Sequence, residues 1–323
     1  MIKGGQAAQV DVAVGLIVRD GQVLIAWRDA GRHQGGRYEF SGGKVDAGER
    51  IEIALVRELQ EELGIVVTAQ RFLQRLTYSY PEKTVCLHVY RVDAFEGEPS
   101  GVEGQPVRWV RPEQLWDYQF PAANVPIIRA AQLPAVYVIS HPLAAFESIE
   151  AWLHFHVQAV AASAWLYVRV PDGTLAQQCI LIQALQQQRS DLRLVVASAL
   201  FEQVQDVAGY HLRHADLAMC AALPRHNEQQ LWFASVHDAL SIQAADTVGV
   251  DAMLLGAVLS TASHPEQAGI GWTVFMQLAG LSQCPVYALG GQSSATLATA
   301  QAHGAYGVAG IRGMLGQRDI SAG

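Results

Sequence analysis

Apolar positions along the chain keep two different rhythms, and the change falls near residue 134. From Gln9 the run QVDVAVGLIVRDGQVLIAW predicts two strands joined at Asp20-Gly21, a favourable hairpin turn. Residues 28–37 are polar, hold three glycines and read as a loop. Ile51, Leu55, Leu59 and Leu63 then recur every four residues, the buried stripe of a helix. Gly64 ends that pattern where a left-handed residue is wanted. Residues 71–80 and 84–94 are rich in β-branched and aromatic side chains and bracket Pro81-Glu82-Lys83, a second hairpin signal. Residues 96–105, with three glycines and a proline, must be loop. A short strand over 107–110 and the start of a short helix over 112–116 follow. This order predicts an α+β sandwich with a mixed sheet between helices.

Beyond Pro134, short apolar runs alternate with helical segments. The runs are 135–140, 164–170, 192–198, 209–214, 231–236, 252–258, 285–290 and 307–311, with helices such as 175–189 and 272–282 between them. Eight such alternations predict a (β/α)8 TIM barrel. The chain is therefore α/β overall, with one domain over 1–131 and a second over 135–323. Its length of 323 residues, beyond the usual single core, agrees with two.

Composition narrows the partners. Half the residues are hydrophobic, 16% are charged and the net charge is −8, which argues against stable nucleic-acid binding. No apolar stretch approaches the roughly 20 residues of a membrane span. The N-terminus lacks the pattern of a signal peptide, and the four scattered cysteines have no CxxC pair. Reduced thiols and a cytoplasmic location are the expectation. Charge also divides unevenly, because all three lysines (Lys3, Lys44 and Lys83) lie in the first domain.

Candidate chemistry concentrates in residues 39–65. Glu58, Glu61 and Glu62 share a helix face, with Cβ atoms about 5–6 Å apart. A solvated acidic face is the bland account of three such acids. It does not explain the glycines at 42 and 43, the internal Glu49, or Arg57 beside the acids. Converging carboxylates make sense around a hard divalent cation, and oxygen ligands with retained waters suit Mg²⁺.

This succession resembles the signature of the Nudix hydrolases, with every signature position filled over 43–65. FEGEPSGVEGQP (95–106) and FPAANVPII (120–128) extend the resemblance to the MutT branch, whose members hydrolyse oxidised guanine nucleoside triphosphates. The resemblance implies metal ligation by Glu58, Glu61, Glu62 and Glu103 with the Gly43 carbonyl, by Mg²⁺ or Mn²⁺. It implies that Arg57 pairs with Glu49 and fixes the loop to the helix. Arg28, Glu39, Phe40, Lys83 and Asn124 match substrate-binding positions. Asn124 matches the asparagine that reads the oxidised purine edge, since an amide both donates and accepts; a helix cap is its ordinary alternative. The reaction implied is hydrolysis of the diphosphate link of 8-oxo-dGTP to the monophosphate and pyrophosphate. Mg²⁺ serves as Lewis acid, and Glu58 or Glu103 takes the proton from water. Ser41 departs from the family, which usually has proline there, and some loop rigidity should be lost.

The second domain is similar to the thiamine phosphate synthase family and its TenI-like relatives through LYVRV (166–170), YHLRHADL (210–217), ASVHD (234–238), LLGAVLSTASHP (254–265) and YALGG (287–291). Synthases grip pyrophosphate with lysines where this chain has Pro171 and His264. They carry an Asn-Asp pair where it has Ala197-Ser198, so of two acidic positions only Asp216 remains. Full synthase activity is not expected. Arg169, Ser235, Ser263, Gly290 and Gly291 remain candidates for a phosphate ligand. His237 matches the histidine of TenI-like tautomerases, with a helix cap as its alternative. Hydrolysis of a thiamine-type diphosphate, a thiamine phosphate-binding barrel and a thiazole-tautomerase-like barrel are the competing readings.

Overall fold

Asp20 and Gly21, both at positive φ (51° and 73°), turn the chain from β1 (Gln9–Arg19) into β2 (Gln22–Arg28). The computed structural model describes residues 9–31, 35–79, 83–260 and 268–315. Ser263, His264 and the turn at Pro81-Glu82 lie outside the described residues. The chain forms two compact units, Met1–Leu133 and Pro134–Gly323.

In the first unit β3 (Arg37–Glu39) and β4 (Gly42–Lys44) precede α1 (Ile51–Leu63). There follow β5 (Val66–Ser79), β6 (Thr84–Glu96), β7 (Val107–Val110) and, after a 3-10 turn over Pro112–Asp117, α2 (Val125–Ala131). The sheet runs β3-β2-β1-β6-β5, with β4 also on β1 and β7 on β2. Among the described residues only β1 and β6 pair in parallel, so the sheet is mixed, as expected. Ala54, Leu55, Leu59 and Leu63 pack against Ala13, Ile17 and Leu24. Ile51, expected in that stripe, is only half-buried at the helix start. Gly64 caps α1 at φ 70°.

Two features differ from the sequence reading. β5 starts at Val66, because its long antiparallel pairing with β6 extends beyond the β-branched run through register shifts. The glycines at 42 and 43, read as loop, form a strand on β1, Ala13 facing Gly43 and Val14 facing Gly42. Glycine is a poor strand former in isolation. Here it permits close approach, since a Cβ on Gly42 would stand 2.1 Å from the Ala13 carbonyl oxygen.

The second unit is a closed barrel of eight parallel strands. These are β8 (Val136–Ile139), β9 (Trp165–Val168), β10 (Arg193–Ala197), β11 (Gly209–Leu212), β12 (Leu231–Val236), β13 (Ala252–Gly256), β14 (Val286–Leu289) and β15 (Gly307–Gly310). Each falls within one of the eight apolar runs. The helices are α3 (Ile149–Ala159), α4 (Leu175–Gln188), α5 (His214–Leu217), α6 (Ala239–Val248), α7 (Gly271–Ala279), α8 (Leu297–Ala302) and α9 (Arg312–Leu315). Tyr137, Tyr167, His211, Phe233 and Tyr287 are buried, and Tyr137 stands within ring contact of the other four. Among the described residues no helix is long and apolar enough to cross a membrane.

Candidate active site

The glycines of β4 lie under the acids of α1. Glu58 presses its carboxylate on Gly43, where an added Cβ would meet Oε2 at 2.0 Å. The Gly42 N–H donates to Glu62 Oε2 at 3.2 Å. Arg57 ties loop to helix, donating to both oxygens of Glu49 (3.1 and 2.9 Å), to Glu58 Oε1 (2.8 Å), to Glu61 Oε2 (3.3 Å) and to the Lys44 carbonyl (3.1 Å). These acceptors hold the guanidinium protonated. Glu49 also accepts the Asp46 N–H, which closes the turn before α1.

Glu103 reaches the same place through the end of the helix. The last carbonyls of α1 have no intrahelical donors. Val102 N–H and Gln105 Nε2 donate to the Glu62 carbonyl (3.0 and 2.9 Å), and Ser100 N–H to that of Leu63 (3.0 Å). The loop that seals α1 therefore carries Glu103. Burial pushes the Glu62 carboxyl up to about 7, and Glu39, Glu58 and Glu103 push in the same direction, against the Gly42 N–H. The structure thus brings together Glu39, Glu58, Glu62 and Glu103. Glu61 is more open, its side chain 59% exposed at the edge of the group.

The remaining candidates divide. Arg28 pairs with Glu39 at 2.8 Å. Phe40 is buried and stacks on Phe120 (5.3 Å between centroids). Tyr38 N–H donates to the Gln119 carbonyl, tying the segment that leads to Asn124 onto β3. Asn124 stands before α2 but makes no side-chain cap, and its Oδ1 is buried with no hydrogen-bond partner among the described residues. Lys83 immediately precedes β6. Register sets the adjoining Thr84 opposite Gln9, four residues along β1 from the Ala13 that faces Gly43, about 13 Å at strand rise. Ser41 is buried, and its backbone carbonyl accepts the Gly15 N–H (2.9 Å), a bond that proline at this position would accept equally. Gln105, which fastens the Glu103 loop, is a positioning residue that sequence reasoning missed; its place in the VEGQP stretch was the available signal.

At the barrel, Arg169 follows β9 and is exposed, while Ser235 Oγ meets His211 Nε2 at 2.8 Å. Burial, aided by Arg169, lowers the His211 pKa to about 3, so this ring is neutral. His237 Nδ1 lies 2.7 Å from the Gly256 carbonyl, which can only accept, so its proton sits on Nδ1 and Nε2 is left as the basic atom. The cap of α6 is Asp238, not His237. Gly290 and Gly291 have φ of 93° and 67°. Asp216 is held by Arg213 through two bonds (2.8 and 2.9 Å), which keep its carboxyl below the usual range.

A glycine pair on a sheet, helix carboxylates and an arginine latch thus form one oxygen-rich site. Comparison with known proteins makes the first unit a hydrolase acting on phosphoric anhydrides. The NUDIX domain model matches residues 9–131, and the thiamine monophosphate synthase model matches residues 136–314. The chain is 40% identical over 121 residues to an 8-oxo-dGTP diphosphatase of Escherichia coli, covering 37% of this chain and 94% of that protein. It is 42% identical over 120 residues to an 8-oxo-dGTP diphosphatase of Haemophilus influenzae (37% and 88% covered). To an E. coli CTP pyrophosphohydrolase it is 36% identical over 121 residues (38% and 90% covered). The chain belongs to the Nudix family through its first unit and to the thiamine monophosphate synthase family through its second.

Proposed function

We propose that the first unit is a Mg²⁺-dependent nucleoside triphosphate pyrophosphohydrolase that prefers 8-oxo-dGTP, and that the barrel is a phosphate-ligand domain without synthase activity. The observation that carries the hydrolase reading is the convergence of Glu39, Glu58, Glu62 and Glu103, which burial and mutual repulsion drive to a raised Glu62 pKa. A hard cation offsets that repulsion, and the all-oxygen donor set fits Mg²⁺, or Mn²⁺ in its place. Glu58, Glu61, Glu62, Glu103 and the Gly43 carbonyl would hold it. When bound it supplies Lewis acidity at the phosphate and makes water a better nucleophile at neutral pH. Glu58 or Glu103 would take the proton from water at the site. Arg57 positions Glu58 and Glu61 and does not itself touch substrate.

Asn124 supports the substrate. A buried acceptor without a partner costs about 1–3 kcal/mol, and the N7–H of an oxidised purine is a donor that guanine lacks. The amide Nδ2 is left for the adjacent carbonyl. Arg28, Glu39, Phe40 and Lys83 are the further substrate-binding candidates. The 36% identity to a CTP pyrophosphohydrolase favours a second reading in which the cytosine amino group is the donor. Turnover of 8-oxo-dGTP, dGTP and CTP with Mg²⁺ separates these. Equal kcat/KM for 8-oxo-dGTP and dGTP ends the sanitising reading, and a preference for CTP replaces it. Asn124→Ala is expected to lower the 8-oxo-dGTP to dGTP ratio by at least about 5-fold.

For the barrel, Asp216 already bonded to Arg213, Ala197-Ser198 without an acid, and the absence of lysine in the sequence after Lys83 all weigh against pyrophosphate release. Arg169, Ser235, His237, Ser263, Gly290 and Gly291 are the residues proposed for a phosphate ligand. Calorimetry of the full chain with thiamine phosphate is expected to show binding without turnover. No heat at millimolar ligand would refute the proposal.

A further inference from the structure

The first unit holds a second group of ligating side chains that the glutamate chemistry does not use. Asp11 on β1 faces Cys86 on β6, and His88 faces Ala13, so the parallel register and the two-residue period put all three side chains on one sheet face. One ligand atom from each, an Asp11 carboxylate oxygen, Cys86 Sγ and a His88 ring nitrogen, lies within 4.8 Å of the others. Asp11 Oδ1 and His88 Nε2 are already 2.9 Å apart. Cys86 is buried, His88 is half-buried, and the Asp11 side chain is 40% exposed, which leaves one open side.

We propose that Asp11, Cys86 and His88 form a binding site for one thiophilic divalent cation, of which Zn²⁺ is the representative, separate from the glutamate cluster. A carboxylate and a thiolate balance a +2 charge, and the imidazole binds as a neutral ligand. Mixed N, S and O donors suit Zn²⁺, whereas Mg²⁺ selects oxygen. Bonds of 2.0–2.3 Å put tetrahedral ligands about 3.3–3.8 Å apart, so the trio closes on an ion by shifts of about 1 Å. Water from the open side completes the four. A Cys-His-Asp nucleophile is the rival reading. It needs a thiol pKa lowered by its surroundings, and here burial raises that of Cys86, with Asp11 adding to it. Gln9 donates to Asp11 at 3.3 Å and can remain as its support. On β5, Thr77 and Arg75 stand opposite Cys86 and His88. The Arg75 charge opposes a cation, so the site should be of moderate affinity.

The site lies one step from the glycine strand. The Asp11 carbonyl accepts the Val45 N–H (3.0 Å), next to the Lys44 carbonyl that accepts Arg57. A bound ion would stiffen that connection without supplying a ligand to the glutamates.

Co²⁺ binding to the full-length protein tests this. One Co²⁺ per chain, besides any that the glutamates take up, is expected to bind with a thiolate-to-cobalt charge-transfer band in the near ultraviolet. Zn²⁺ should displace it and millimolar Mg²⁺ should not. Cys86→Ser should abolish the band, His88→Gln should weaken Co²⁺ binding at least about 10-fold, and Glu62→Gln should leave the band intact. Absence of the band in the wild-type protein overturns the proposal whatever the variants do. So does its survival in Cys86→Ser, which would assign it to another thiol, or its displacement by Mg²⁺.

Discussion

Glu62→Gln is expected to stabilise the protein in EDTA at pH 8 while abolishing its Mg²⁺-dependent hydrolysis. The carboxyl is raised from 4.5 to about 7, so ionising it in the folded state costs about 3 kcal/mol. Between those values the folded chain binds more protons than the unfolded one, and stability falls as pH rises. The cost is absent below pH 4.5 and complete above pH 7. Glutamine keeps the shape, and its amide oxygen still accepts the Gly42 N–H. The variant should therefore gain up to about 3 kcal/mol over wild type at pH 8 and almost nothing at pH 4. Urea unfolding in EDTA measures this, read on the transition that Mg²⁺ shifts in the wild type. Taking the difference between variant and wild type cancels the titrating groups that do not interact with Glu62. Mg²⁺ should stabilise wild type far more than the variant. A variant no more stable than wild type at pH 8, or a difference that does not change with pH, would refute the electrostatic reading of the cluster.

Further outcomes follow from single contacts. Gly43→Ala puts a methyl 2.0 Å from Glu58 Oε2; the carboxylate must swing away, so the fold should persist while kcat/KM falls at least about 100-fold. In the barrel, His156 and His211 are held neutral, with burial lowering them to about 4 and about 3. Below pH 6.5 the unfolded chain takes up protons that these rings refuse. Each should then cost the barrel about 1.4 kcal/mol per pH unit down to its folded pKa. NMR titration should find neither ring changing between pH 5 and 8, and a midpoint near 6.5 for either would contradict its burial.

The helix stripe, the hairpins and the eight strand-helix alternations were legible because each is a local rhythm of apolar residues. The helix acids were legible for the same reason, since spacing of three and four residues on one helix fixes a common face. Contacts set by register between distant strands were not. The strand at Gly42 is disfavoured by local propensity and exists because β1 admits nothing larger there. Lys83 matches a substrate-binding position in sequence, and its place along β1 is set by the pairing of Thr84 with Gln9, which no local pattern shows. Cys86 and His88 alternate along one strand, a readable hint, but nothing local says that Asp11, 75 residues earlier, lies opposite. Asn124 was open between capping and recognition; the missing cap bond speaks against capping, and recognition is proposed on the buried Oδ1.

The sealing of α1 and the delivery of Glu103 are one device, and Gln105 tests it. The C-terminal end of a helix carries partial negative charge, so Glu61 and Glu62 already sit at the less favourable end of α1. Three donors from the loop over 97–106 cover the last carbonyls, easing that end while bringing a further acid to the group. Gln105→Ala removes one of these bonds, at about 1 kcal/mol of stability. It also loosens the support of Glu103 without touching Glu58 or Glu62. The Mg²⁺ concentration for half-maximal activity should rise several-fold, and kcat at saturating Mg²⁺ should change little. Activity titrated against Mg²⁺ at fixed nucleotide reads both. A fall in kcat with an unchanged Mg²⁺ dependence would mean that Glu103 acts on the attacking water and not as a support for the cation.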